Sequence, residues 1–156
     1  MPCIIKDGVL QKYRPYCEEK EIETKEGIIS LRVAEVGVKV PTGVVAIGPR
    51  AFAECDTLLY VELPDGVTDI SAFAFKDCKH LKQITLPATL RKVGAYAFSG
   101  CRDLTEITLP EQIEQVGSYA FSYCQSLKSV AGLSPRTARI RGYELFLSSP
   151  NVKWRS

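Results

Sequence analysis

The sequence predicts a β-rich solenoid in which parallel strands are stacked in 23-residue coils, and three observations predict it. Cys55, Cys78, Cys101 and Cys124 are spaced by 23 residues, and every marked position around them moves with the same step. Each unit carries a short alternating stretch closed by proline, such as "LTEITLP" at 104–110. The 156 residues, 46% hydrophobic and 24% charged, suffice to bury one core and give no sign of a second.

The repeat unit is dense in markers. Phe52, Phe75, Phe98 and Phe121 lie three residues before the cysteines, each directly after an alanine. Leu58, Leu81, Leu104 and Leu127 follow the cysteines by three residues, and Val61, Ile84, Ile107 and Val130 by six. Within 104–110, Leu104, Ile107 and Leu109 face inward while Glu106 and Thr108 face out, the pattern of a half-buried strand. Proline ends that strand because it has no N–H for a ladder and holds φ fixed.

The next segment turns Ile113 and Val116 inward and reaches Gly117. Gly48, Gly94 and Gly142 share that slot and Ser71 departs from it, so the slot predicts either a special backbone angle or a close approach that a side chain would obstruct. The Ala-Phe step that follows predicts a single turn of α- or 3₁₀-helix.

The pattern weakens at both ends, as a solenoid requires, because a terminal coil has no neighbour to cover its face. Pro41 lies 23 residues before Pro64, with Val38 and Val40 ahead of it, but the Phe and Cys positions of that coil hold Ile29 and Arg32. Two inserted residues between Val130 and Pro135 restore the register beyond, where Gly142, Phe146, Ser149 and Val152 stand for Gly, Phe, Cys and Leu. At a strand spacing of ~4.8 Å, about six coils including the ends make a rod roughly 25 to 30 Å long. Upstream, Asp7-Gly8 reads as the turn of a hairpin, and a second hairpin is expected from Glu21 to Val33 around Lys25-Glu26-Gly27. The expected organisation is one domain: N-terminal capping hairpins over 1–40, then a solenoid over 41–156 with four regular repeats and a degenerate C-terminal coil.

The consensus "IxxVGxxAFxxCxxLxxIxLPxx", running from about Pro41 to Val152, resembles the BspA-like leucine-rich repeat family. The segment "IIKDGVLQKY" at 4–13 also resembles the hairpin that often opens such domains. The resemblance implies parallel strands lining one side of a curved solenoid. It also implies a binding or adhesion module rather than a catalyst, often at a cell surface. No long apolar run marks a signal peptide or membrane span, so with Met1 as the start a cytoplasmic place is favoured, with the cell surface open by resemblance.

Candidate chemistry is sparse. Stacked cysteines have parallel Cβ vectors, which disfavours a disulfide, and ligands in a row cannot surround a zinc ion. There is no CxxC pair and one histidine, so the ladder reads as buried inert thiols. Cys3 and Cys17 lie outside the ladder and are bridged or free. His80 stands in a lysine-rich turn with no catalytic constellation, and neither a GxSxG elbow, a phosphate loop nor an HExxH motif occurs. No catalytic residue, metal or cofactor is expected, and 20 basic against 18 acidic residues, net +2, argue against a nucleic-acid partner.

The expected partner is a protein or peptide held on the outward strand positions Tyr60, Glu62, Gln83, Thr85, Glu106, Thr108 and Ser129, with Ala131 at the end. Such positions need polar residues whether or not anything binds, but a solenoid presents them as one surface. A second row, Phe73, Tyr96 and Tyr119 with Arg50 and Glu144 at its ends, is either a recognition stripe or a partly buried shield over the Ala-Phe turns. The alternative function is a structural rod that self-associates through open terminal coils, with Trp154 as the contact. The tail bears Arg136, Arg139, Arg141, Lys153 and Arg155, a local basic excess that suits an acidic partner or plain solvation.

Overall fold

The 23-residue step of the sequence becomes a backbone register. The computed structural model describes residues 3–13, 18–24, 27–33, 37–133 and 142–152. Two hairpins open the chain. β1 (Cys3–Lys6) and β2 (Val9–Tyr13) pair antiparallel across Asp7 and Gly8, whose φ values of 52° and 75° are those of a tight hairpin turn. β3 (Glu18–Thr24) and β4 (Gly27–Val33) form a separate antiparallel pair, in register from Glu18↔Val33 to Thr24↔Gly27. The expected turn residues Lys25 and Glu26 lie outside the described residues, as do Cys17, Trp154 and the basic residues of the tail.

Each coil then contributes two short strands. One series is β5 (Gly37–Lys39), β7 (Tyr60–Glu62), β9 (Gln83–Thr85), β11 (Glu106–Thr108) and β13 (Ser129–Ala131). The other is β6 (Ala46–Ile47), β8 (Asp69–Ile70), β10 (Lys92–Val93) and β12 (Gln115–Val116). All pairs between coils are parallel and join a residue to the one 23 positions on, as in Tyr60↔Gln83, Glu106↔Ser129 and Lys92↔Gln115. The second series had appeared in the sequence only as inward residues before the glycine slot. It forms the longer sheet, β1-β2-β6-β8-β10-β12, in which β2 runs parallel to β6 and joins the hairpin to the first coil.

Identical residues stacked at coil spacing make the core. Phe52, Phe75, Phe98 and Phe121 are wholly buried, with ring centroids 4.7, 5.2 and 5.6 Å apart. Tyr13 extends the column at one end, 5.0 Å from Phe52, and Phe146 at the other, 6.0 Å from Phe121. A coil alone would leave these rings in water, so each one depends on its neighbours. The column's terminal aromatics do for the end rings what the next coil does for the inner ones.

The expected helical turn at Ala-Phe resolves instead into separate three-residue-bonded turns. Ala74 N–H donates to Ser71 O, Lys76 to Phe73 and Cys78 to Phe75, at 3.1 to 3.3 Å. The intervening N–H groups of Phe73, Phe75 and Asp77 donate to Ala95, Ala97 and Ser99 of the next coil, at 2.8 to 3.0 Å. Backbone donors thus alternate between their own turn and the neighbouring coil, and none needs a side-chain partner. Left-handed backbone at Phe73 (φ 60°) and Asp77 (φ 58°) reverses the chain between turns and prevents a continuous helix.

The glycine slot is a close approach. A Cβ on Gly94 would lie 2.4 Å from Ala72 N, and one on Gly117 2.3 Å from Ala95 N, whereas neither residue has a left-handed φ.

Candidate protein-binding face

Strand geometry gathers the outward residues on one side. In β7, β9 and β11 the central residues Val61, Ile84 and Ile107 are buried, and their flanks Tyr60, Glu62, Gln83, Thr85, Glu106 and Thr108 are exposed. Ser129 and Ala131 continue the two rows on β13 and are exposed as well. Two shallow hollows lie along this face. One, of about 330 Å³, is lined by Gly37, Lys39, Tyr60, Glu62, Gln83 and Thr85 among others. The second, of about 370 Å³, is lined by Gln83, Thr85, Leu86, Glu106, Thr108 and Pro110 among others.

The face carries less free charge than its sequence suggests. Lys39 Nζ sits 2.9 Å from Glu62 Oε1, an exposed pair that cancels one carboxylate and adds little stability. Glu106 has no cation within ion-pair distance among the described residues.

The second row is a half-buried stack: Phe73 and Tyr96 lie 5.2 Å apart, Tyr96 and Tyr119 4.9 Å, and the Arg50 guanidinium covers Phe73 at 5.4 Å. Arg50, Phe73, Tyr96 and Tyr119 all hold φ between 55° and 60°, an uncommon conformation for aromatic residues. Only the period of the row was visible in the sequence; its backbone conformation had no signal there.

The cysteine ladder is buried and unbridged, and each inner thiol is also a hydrogen-bond donor. Cys78 Sγ donates to Phe52 O at 3.0 Å, Cys101 Sγ to Phe75 O at 3.2 Å, and Cys124 Sγ to Phe98 O at 3.2 Å. Burial pushes the Cys55 thiol up to about 11 and Cys124 to about 12, and holds Cys78 and Cys101 well above the ordinary thiol range. His80 is exposed, with Nδ1 3.0 Å from Asp103 Oδ2 one coil on. Arg91 and Glu114 form a similar surface pair at 2.9 Å. Among the described residues no three His, Cys, Asp or Glu side chains gather to hold a metal ion.

A parallel-strand solenoid with aromatic, aliphatic and thiol ladders and almost no helix is a leucine-rich repeat architecture. The chain belongs to the BspA-type leucine-rich repeat family, whose model matches residues 36–153 in six copies.

Solved structures agree. A leucine-rich cell surface protein from Faecalibacterium prausnitzii is 26% identical with a TM-score of 0.70, over 87% of this chain and 38% of that one. The pneumococcal vaccine antigen PcpA is 29% identical with a TM-score of 0.60, over 62% and 24%. A leucine-rich repeat protein from Bacteroides capillosus is 26% identical with a TM-score of 0.63, over 82% and 89%. The chain thus spans about a quarter of PcpA and under two fifths of the Faecalibacterium protein. No curated protein matches it. No helix among the described residues is long and apolar enough to cross a membrane.

Proposed function

We propose that this domain is a non-enzymatic module that holds a protein or peptide on its strand face. One observation carries the reading: two adjoining hollows are both lined by Gln83 and Thr85, with Tyr60 and Glu62 on one side and Glu106 and Thr108 on the other. Exposed aromatic, amide, hydroxyl and carboxylate groups over a rigid strand floor suit a polypeptide, which offers both hydrogen bonds and side chains. The general fit of leucine-rich repeats to interaction and surface roles supports it. Changing Glu62, Thr85 and Glu106 together to lysine should abolish partner capture from the native host and leave thermal unfolding nearly unchanged. Capture that survives the triple change rejects this face.

A second reading is self-association. β1 is an edge strand with no described strand on its outer side, and Ile4 and Ile5 are 45% and 42% exposed on it. An unpaired apolar edge is a template for another chain. Sedimentation that finds a strict monomer at high concentration excludes it.

A further inference from the structure

Between β9 and β11 the hydrogen-bonded ladder of the strand face is interrupted, although the two strands remain packed neighbours. β5-β7-β9 and β11-β13 are separate sheets although the sequence pattern runs through both without change. Elsewhere on this side Val40 N–H donates to Glu62 O, Leu63 to Thr85 and Leu109 to Ala131. The corresponding bond from Leu86 N–H to Thr108 O is not made. Likewise Lys82 N–H reaches Leu59 O and Lys128 reaches Thr105 O, but Thr105 N–H does not reach Lys82 O. The split therefore leaves the carbonyls of Lys82 and Thr108 without the backbone donors that their equivalents have. It coincides with the 370 Å³ hollow.

We infer that this split anchors a guanidinium side chain of the partner polypeptide, an inference that rests on the strand-face reading. The occupant follows from charge and hydrogen bonding. Glu106 lines the hollow and is the strand-face carboxylate that no described cation pairs, whereas Glu62 is neutralised by Lys39. The other polar groups of the hollow, Gln83, Thr85 and Thr108, offer acceptor oxygens, and the Thr108 carbonyl adds one more. A planar fork of five N–H donors with fixed positive charge satisfies such a set, and its aliphatic stem can lie against Leu86 and Pro110.

The test is an amide NMR titration of the whole chain with two five-residue peptides, one with a central arginine and one with citrulline, its neutral isostere. Arginine peptide should give saturable shifts centred on Thr85, Leu86, Glu106 and Thr108, citrulline peptide at least about tenfold weaker ones, and Glu106→Gln should weaken the arginine peptide by a similar factor. Equal binding of both peptides, shifts centred elsewhere, or no shift at millimolar arginine peptide overturns the inference. Partner capture separates the two claims: if the triple lysine variant loses capture while Glu106→Gln keeps it in full, the anchor fails and the strand face stands.

Discussion

Ser149 Oγ donates to Phe121 O at 2.7 Å, repeating in the last coil the bond that Cys124 Sγ makes to Phe98 O at 3.2 Å one coil earlier. The same hydroxyl accepts from Cys124 N–H at 2.9 Å. The cysteine slot is therefore a small-donor slot, and that is why serine can fill it. Expected as a buried hydrophobe, the ladder cysteine is that and a donor to the neighbouring coil as well.

Cys101→Ser should accordingly cost only about 1 kcal/mol, because the donor is kept and little volume is lost. Cys101→Val removes the donor and adds bulk to a site with no exposure, so a loss of about 1–3 kcal/mol is expected. Urea denaturation of the two variants checks the order; valine better tolerated than serine would remove the hydrogen bond from the account.

Alkali should destabilise the fold through the same residues. Their thiols titrate higher when folded than the ordinary 9.0, about 11 for Cys55 and about 12 for Cys124, because burial disfavours the thiolate. Unfolded thiols lose protons first as pH rises, so this stabilising contribution is complete below pH 9.0 and falls away through 11 to 12. A thermal midpoint that drops across this window, and drops less in Cys101→Ser, is the expected result. In native protein at neutral pH, a thiol reagent should modify Cys78 and Cys101 only on unfolding.

Gly94→Ala and Gly117→Ala should separate coils, since the added methyl would meet backbone nitrogen at 2.4 and 2.3 Å. Losses of about 3 kcal/mol or more are expected, at the upper end for single substitutions. Gly66→Ala is the control: its Cβ meets nothing within 4 Å, and only the φ of 104° opposes it, so the loss should be about 1–2 kcal/mol. Thermal unfolding of the three variants ranks crowding against backbone strain.

The two aromatic columns should differ in weight. Phe98 is wholly buried between two rings, and Phe98→Ala should cost about 3–5 kcal/mol. Tyr96 is half-buried, and Tyr96→Ala should cost about 1–2 kcal/mol through its two stacking contacts. Similar losses at both positions would mean that the outer row is as much core as the inner one.

Much of this architecture is legible residue by residue. Repetition at 23 makes every inward position of one coil predict that of the next, and the alternation in 104–110 places Ile107 inside with Glu106 and Thr108 outside. The aromatic cap contributed by Tyr13 was not legible, because it lies outside the repeat and joins the column through a hairpin. Nor was the left-handed row, since Phe73, Tyr96 and Tyr119 are residues that ordinarily avoid positive φ.

By itself the sequence determined the coil length, the register and the identity of the buried ladders, because identical units can hide their apolar residues only by stacking in step. Tertiary structure alone decided where those coils touch. It placed alternate N–H groups on neighbouring turns, brought thiols to the carbonyls of the preceding coil, and paired β7 with β9 and β11 with β13 while leaving no ladder between β9 and β11. The same strand pattern occurs on both sides of that gap. What differs is whether the N–H groups of one strand meet the carbonyls of the next, which is set by the sum of contacts across whole coils and is written in no single stretch of residues.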